Sequence, residues 1–121
     1  MITKYGSFNV ERGEVWLVAL PFSSGREQGG QRPAIVLQDA VHGQGSPLVL
    51  IVPVTSQPGA LRFPGTFRVE PSAENGLSVA SIALVFQTRA VDRSRFGRRL
   101  GTLSAEDLGS VLEELDSLTG R

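Results

Sequence analysis

The sequence predicts a small, mainly β protein: a curled β-barrel or open sheet of five or six short strands, covered by one C-terminal helix. Three observations lead to this prediction. The 121 residues suit a single domain, taken here as residues 1–121. Short segments rich in β-branched and aromatic residues recur at a spacing of roughly 10–15 residues, as in small all-β folds. Helical periodicity occurs only near the end, over residues 104–119.

Each strand prediction comes from an apolar run that a polar or glycine-rich stretch bounds. The predicted strands are Val15–Leu20, Ala34–Gln38, Leu48–Val52, Thr66–Glu70, Ser81–Gln87 with an extension at Ala90–Val91, and a short last strand at Arg98–Thr102. Asp92–Arg99 is polar and predicts a turn or one short helical turn. Pro53 interrupts the third strand, and proline is tolerated in a strand only at an edge, an end or a bulge, because it cannot donate to a ladder. Such a bulge would change the direction in which the side chains of Thr55, Ser56 and Gln57 point.

The terminal helix has both end signals and an apolar face. Ser104 is a suitable N-cap with Asp107 three residues later, and Gly120 stands where a helix commonly stops. Apolar residues follow at helical spacing, namely Leu108, Val111, Leu112, Leu115 and Leu118.

Composition excludes several classes of site. The chain has no cysteine and one histidine, which excludes disulfides, thiolate metal sites, a cysteine nucleophile and the HExxH zinc motif. The longest apolar run has eight residues, Val15–Phe22, far fewer than the ~18 that span a membrane. The first nine residues contain no apolar core of a signal peptide. We therefore expect a soluble, cytoplasmic protein without membrane association.

The net charge of zero conceals an asymmetry. Residues 104–121 carry five acidic residues and one basic residue, whereas residues 1–103 carry 11 basic and seven acidic residues. Eleven of the 12 basic residues are arginines, the side chain best suited to bidentate phosphate contacts. The asymmetry is compatible with a polyanionic partner and equally with a solvated acidic helix on a slightly basic body.

Standard catalytic motifs are absent or incomplete. The sequence has neither a GxxxxGK[ST] phosphate loop nor a GxGxxG fingerprint. Gly76–Ala80 resembles a nucleophile elbow but lacks its final glycine and a following helix. Asp39 and His42 could supply half of a metal site, but no second ligand cluster accompanies them, so we predict no metal and interpret His42 as a surface imidazole.

Polar side chains at strand ends form the remaining candidate site. They are Arg32, Gln38, Thr55, Ser56, Ser81, Gln87 and Arg89. Each could serve as an ordinary turn or salt-bridge residue. Together they predict a groove along one rim of the sheet, beneath a glycine-rich flap at residues 23–31. Arginine and hydroxyl groups in such a groove suit a phosphodiester substrate.

At these residues the chain resembles the MazF/PemK family of toxin endoribonucleases. Arg12–Trp16 matches the opening strand of the family, and Glu27–Gln38 matches its EQGG-x-RP loop and following strand. Pro53–Ser56 corresponds to its PxTS block, and Ser81–Asp92 to its S-x4–5-Q-x-R-x-x-D segment. The resemblance extends from about Arg12 to Leu118 and leaves residues 1–9 as an N-terminal extension.

The resemblance implies an SH3-like, CcdB-type barrel of five to seven strands that works as a homodimer. It also implies the toxin of a type II toxin–antitoxin system, which cleaves single-stranded RNA at short sequence motifs without a metal or other cofactor. The expected reaction is attack of a ribose 2′-OH on the adjacent phosphate, giving 2′,3′-cyclic phosphate and 5′-OH ends. The expected second partner is a cognate antitoxin, whose acidic and partly disordered segment covers the groove.

Carried over to this sequence, the resemblance assigns catalysis to Arg32 and Thr55. Arginine is a poor base near neutral pH, so Arg32 is expected to stabilise charge on the phosphate. Glu27 and a water molecule are the candidates for the general base. The predicted RNA-binding residues are Glu27, Gln28, Gly29, Gln38, Ser56, Ser81, Gln87 and Arg89. Phe22, Phe63 and Phe67 lie nearest to loops and could stack on bases or pack in the core.

The alternative is a CcdB-like poison of DNA gyrase, which acts by protein binding without catalysis. In that class the action resides in a C-terminus that contains an aromatic residue. This chain ends Leu118-Thr119-Gly120-Arg121, and its single tryptophan lies in the first predicted strand. These features disfavour the alternative.

Overall fold

The computed structural model describes residues 9–20, 30–39 and 46–121, and this part of the chain contains seven strands and one α-helix. The strands are β1 (Glu14–Ala19), β2 (Gln31–Val36), β3 (Leu48–Thr55), β4 (Thr66–Val69), β5 (Ser81–Leu84), β6 (Arg89–Asp92) and β7 (Phe96–Thr102), and the helix is α1 (Ala105–Leu118). Short 3₁₀ turns lie at Pro58–Arg62, Val85–Gln87 and Arg93–Arg95. The predicted class, a mainly β fold with a C-terminal helix, is confirmed.

The seven strands form one antiparallel sheet. Along it the order is β4-β5-β3-β2-β1-β7, and β6 also pairs with β3. The second strand begins earlier than the prediction of Ala34–Gln38, because Gln31 and Arg32 pair with Ala19 and Val18 of β1. The last strand also begins earlier than predicted, at Phe96, which pairs with Val18. Cross-strand pairing therefore places Arg32 inside the sheet rather than in a loop before it.

The segment predicted as one strand over Ser81–Gln87 is interrupted at its end. β5 pairs with Val54 and Thr55 of β3, and β6 pairs with residues 48–51 along the same edge of β3. Between them the 3₁₀ turn Val85–Gln87 shifts the register by three residues, and the Thr88 hydroxyl donates to the Val85 carbonyl. Pro53 lies opposite this interruption and offers no N–H to a neighbouring strand. The irregularity predicted from Pro53 thus occurs in its partner strand.

A loop between β4 and β5 covers the β7 edge of the sheet. Asn75, 3% exposed, organises this loop: its side-chain amide donates to the Glu70 carbonyl, and its Oδ1 accepts from the backbone N–H groups of Ser72 and Leu77. The Thr102 N–H donates to the Glu74 carbonyl at 2.8 Å. In the described part of the chain, the curled sheet is therefore closed at β7 by a loop rather than by a β4–β7 ladder.

Replacing Gly76 by alanine is expected to destabilise the fold by about 2 kcal/mol or more, the scale of combined backbone strain and overpacking. Gly76 has a φ of +71°, and an added Cβ would lie 2.1 Å from the Leu100 carbonyl oxygen. Urea denaturation measures the change. Gly109→Ala is the matched control, because Gly109 lies in α1 with open space around it. A Gly76→Ala variant as stable as the parent chain would contradict this account of the loop.

The sheet has apolar residues on both faces. One buried cluster, including Val15, Ile35 and Val54, packs against Val111 of α1. Ser104 caps this helix as predicted, since its Oγ accepts from the Asp107 N–H at 3.0 Å. Leu118 continues the predicted spacing in the last turn of the helix, where it is 44% exposed. Helix α1 has 14 residues, and no helix in the described ranges is long and apolar enough to cross a membrane.

Candidate active site

Thr55 ends β3 at the boundary between two cavities. Its Oγ1 accepts a hydrogen bond from the Gln57 backbone N–H at 3.2 Å. The hydroxyl proton of Thr55 can therefore still be donated to a ligand. Thr55 is half-buried and contributes to the walls of both cavities. A ligand atom beside this hydroxyl would therefore be close to both cavities.

The first cavity has a volume of about 390 Å³ and is here called the serine cleft. Leu17, Leu77 and Leu100 contribute apolar surface. Its polar side chains are those of Thr55, Ser56, Ser78, Ser81 and Arg98. None of the described residues that line it is acidic, so its electrostatic character suits an anion.

The second cavity, here called the aromatic cleft, has a volume of about 340 Å³ and is lined by Thr55, Arg62, Phe63, Phe86 and Gln87, among others. Phe63 is 46% exposed, its ring centroid lies 6.0 Å from that of Phe86, and the Arg62 guanidinium lies 5.1 Å from the Phe63 centroid. The Gln87 Oε1 is buried and has no hydrogen-bond partner within the described residues. An unsatisfied buried acceptor is costly, and an N–H donor of a ligand would satisfy it.

Arg32 lies on the neighbouring strand, close to Thr55 by register. The β2–β3 ladder pairs Ala34 with Pro53. If this antiparallel register continues for two more residues, Arg32 lies opposite Thr55. Residues directly opposite each other on neighbouring strands face the same side of a sheet. Arg32 does not line either cleft, whereas its neighbour Pro33 lines the serine cleft. Arg32 and Thr55 thus lie on adjacent strands, with Arg32 outside the cavity walls.

The structure brings together only part of the predicted RNA-binding set. Ser56 and Ser81 line the serine cleft, and Gln87 lines the aromatic cleft. Gln38 lies beyond the far end of β2, more than about 13 Å along the strand from Arg32. Arg89 pairs with Ile51, four positions or about 13 Å before Thr55 on β3. Within one copy of the chain, Gln38 and Arg89 are therefore remote from Thr55.

Some predicted residues fall on positions that the structure does not describe. Glu27, Gln28 and Gly29 lie outside the described residues, and so do His42 and Phe22. Phe67 is described, and it packs against the buried cluster beneath α1. Of the three aromatic residues considered for stacking, only Phe63 is placed at a cleft.

Two polar groups near the predicted motifs have structural roles. Ser81 is 3% exposed, and its hydroxyl donates to the Val79 carbonyl at 2.9 Å. Asp92 begins the 3₁₀ turn Arg93–Arg95 and accepts from the Ser94 N–H at 2.8 Å. That backbone hydrogen bond, followed by one from the Ser94 side chain, lowers the pKa of Asp92 below its ordinary value. Asp92 is thus a weaker proton acceptor than an ordinary carboxylate.

A third cavity has the larger volume of about 480 Å³, but its chemistry differs from that of the two clefts at Thr55. It is lined by Glu70, Glu74 and Asp107 beside the start of α1. These carboxylates would repel a phosphodiester. Among the described residues, no group of three or more histidine or acidic side chains could hold a metal ion.

Sequence reasoning missed Arg98 as a cleft residue. It lies in an arginine-rich segment, and its direction depends on the pairing of β7 with β1, where the register shifts twice. Side chains alternate along a strand, so each shift changes which arginine faces the cleft. A local sequence pattern carries no signal for these shifts.

Comparison with known families gives one match over nearly the entire chain. Residues 11–119 match the family described as PemK-like, MazF-like toxin of type II toxin–antitoxin system. The chain is also similar to the endoribonuclease MazF of Staphylococcus saprophyticus subsp. saprophyticus. The two are 30% identical over 111 residues, which cover 92% of each sequence.

Solved structures agree with this match. The fold is similar to the crystal structure of MazF from Deinococcus radiodurans, with a TM-score of 0.75, 30% identity, and coverage of 95% of this chain and 100% of the other. A crystal structure of MazE-MazF from the same organism gives a TM-score of 0.71 at 30% identity, with coverage of 94% and 98%.

Proposed function

The chain belongs to the PemK-like, MazF-like toxin family of type II toxin–antitoxin systems, and from this premise we propose how it acts. It is an endoribonuclease of that family. We propose that it cleaves single-stranded RNA at a short sequence motif in the cytoplasm, without a metal ion. The CcdB-like alternative, a gyrase poison without catalysis, is not favoured by this family match.

The observation that carries the catalytic proposal is the position of Thr55. It lies between two clefts, each of which has the volume of a small ligand site. Arg32 lies on the neighbouring strand β2, and continuing the β2–β3 register beyond Ala34 and Pro53 brings it opposite Thr55. Among the residues that the structure describes, no acidic side chain lines either cleft. This arrangement supports a phosphodiester that passes Thr55, with one adjoining nucleotide in each cleft.

In the proposed reaction the 2′-oxygen of one ribose attacks its own 3′-phosphate. The new bond joins the 2′-oxygen to phosphorus, and the bond between phosphorus and the 5′-oxygen of the next nucleotide breaks. The 2′-hydroxyl proton passes to a base, for which Glu27 and a water molecule are the candidates, and the leaving oxygen gains a proton. Atoms balance without consumption of water, giving a 2′,3′-cyclic phosphate and a 5′-OH.

Arg32 and Thr55 have separate roles in this reaction. The Arg32 guanidinium is proposed to neutralise charge that develops on the non-bridging phosphate oxygens. The Thr55 hydroxyl, held by the Gln57 N–H, is proposed to donate to a phosphate oxygen or to contact the 2′-OH. The unpartnered Gln87 oxygen is proposed to accept from a base, since nucleobases in single strands are read through their exposed edges.

The proposed protein partners are a second copy of the chain and an antitoxin. The family is described as part of a type II toxin–antitoxin system, and the Deinococcus structure holds MazE with MazF. We propose that an acidic antitoxin segment covers the same cationic groove as RNA, because both ligands are polyanions. A solution mass of twice the 13.0 kDa chain, measured by light scattering, is expected for the homodimer, whereas a single-chain mass would contradict it.

Cleavage in excess EDTA tests the proposed chemistry. A long unstructured RNA is expected to be cut at the same positions and rate with and without the chelator. The products are expected to carry 5′-OH ends, which polynucleotide kinase labels without prior phosphatase treatment, and 2′,3′-cyclic phosphates. Loss of cleavage with EDTA, or 5′-phosphate ends, would contradict the mechanism. Intact RNA in both conditions would contradict the function itself.

A further inference from the structure

Arg98 is the cation of the serine cleft and has no assigned role. It is exposed on β7 and is the only charged residue among the described residues that line the cavity. The neighbouring arginines are engaged elsewhere: Arg99 binds Glu14 at 3.2 Å and donates to the Thr102 hydroxyl, and the Arg93 Nε donates to the Ser46 carbonyl. Arg98 makes no hydrogen bond or ion pair with the residues that the structure describes.

The surroundings of Arg98 match the chemistry of a phosphate. Ser56 and Ser78 line the same cavity, are exposed and have no hydrogen-bond partner within the described ranges. Their hydroxyls can therefore donate to an anion. The Ser81 hydroxyl is already used by the Val79 carbonyl. A guanidinium and free hydroxyls, with no carboxylate among the described residues of the cleft, provide donors for the oxygens of one phosphate group.

Arg98 lines the same cleft as Thr55, whereas Arg32 lies outside the wall of that cleft. Arg32 lies on β2, the strand next to Thr55, whereas Arg98 lies on β7, three strands from β3 in the sheet order. Leu17 of β1 also lines the cleft beside Arg98 and Leu100 of β7. One cation in the cleft wall and a second one outside it, on the strand next to Thr55, are suited to two phosphates of the same RNA strand.

We infer that Arg98 binds the RNA phosphate next to the scissile one, and that the nucleotide between these two phosphates occupies the serine cleft. This inference rests on the proposed endoribonuclease function. It assigns Arg98 to substrate binding rather than to the chemical step, since Thr55 ends β3 and Arg98 lies on β7, three strands away in the sheet order. The contact should therefore affect KM more than kcat.

The test uses an oligoribonucleotide that contains a cleavage site mapped on long RNA. Arg98→Ala is expected to raise KM about tenfold, as for the loss of a hydrogen bond to a charged group, with kcat changed less than about twofold. The slope of log KM against log salt is expected to fall by about 0.7, the value for one phosphate contact on a single strand. Arg95→Ala is the charge-matched control, because Arg95 is exposed and lines neither cleft.

Neutral linkages identify the phosphate that Arg98 contacts. Oligonucleotides carry one methylphosphonate at a time on either side of the scissile linkage. At the contacted position, the parent enzyme should lose about tenfold in kcat/KM, and Arg98→Ala should lose nothing further. At all other positions the loss caused by the methylphosphonate and the loss caused by Arg98→Ala should multiply. Arg98→Gln, which keeps most of the side-chain volume, repeats the comparison if Arg98→Ala is unstable.

The outcomes separate this inference from the function on which it rests. If the parent enzyme cleaves RNA but Arg98→Ala and Arg98→Gln match it in KM and salt slope, the assignment of Arg98 is wrong. Losses that multiply at every methylphosphonate position would also overturn it. If the parent enzyme cleaves no RNA, the proposed function fails first.

Discussion

Arg32→Ala is expected to lower kcat by about 100-fold or more on a mapped RNA substrate, while the protein remains folded. The physical reason is the loss of a cation that meets the developing phosphate charge; a factor of 100 corresponds to about 2.7 kcal/mol of transition-state stabilisation. Single-turnover cleavage with enzyme in excess measures the chemical step apart from product release.

Two further variants make the Arg32 prediction specific. Arg32→Lys keeps the charge but not the planar fork of donors, and it should recover only part of the lost rate. Arg68→Ala is the control, because Arg68 is an exposed arginine that pairs with Glu70 on β4. Its removal should leave cleavage unchanged. Unchanged turnover of a folded Arg32→Ala protein would remove Arg32 from the mechanism.

Thr55→Val is expected to lower kcat by about 100-fold or more. Valine keeps the branched shape of threonine but cannot donate to a phosphate or contact the 2′-OH, so the change removes the hydroxyl with little change in volume. Thr55→Ala should have a similar effect. Rates are measured under single-turnover conditions, and thermal unfolding checks that each protein is folded.

Thr55→Ser tests whether the hydroxyl is responsible. The Thr55 Oγ1 also accepts from the Gln57 N–H, a local contact that serine can make. Thr55→Ser should therefore restore most of the rate. If it is as slow as Thr55→Val, the methyl packing of Thr55 matters rather than its hydroxyl. Full activity of Thr55→Val would exclude this residue from catalysis.

Much of the fold was predictable because its signals are local. Ser104 and the apolar spacing predict a helix over residues 104–119, and the observed helix, Ala105–Leu118, differs from this by one residue at each end. Thr66–Glu70 was predicted as a strand and is observed as Thr66–Val69. The predicted strand through Gln87 was wrong at its last three residues, since the 3₁₀ turn there depends on how β5 and β6 share one edge of β3.

The candidate site was predictable only in part. Local motifs selected Arg32, Thr55, Ser56, Ser81 and Gln87, and the structure places the last four at the walls of two clefts. The same reasoning grouped Gln38 and Arg89 with these residues. A residue's position at the end of a strand does not show at which end of the sheet that residue lies. The pairing of Arg89 with Ile51 could not be inferred from the chain alone.

The sequence by itself determined the mainly β class, the terminal helix and the family, since the strand, capping and motif signals are each local along the chain. It also predicts Arg32 and Thr55 as the catalytic residues. Only the tertiary structure decided that Thr55 separates two clefts, that the loop around Asn75 closes the β7 edge, and that Arg98 faces a cavity. These properties depend on strand register, where a shift of one residue turns a side chain to the opposite face.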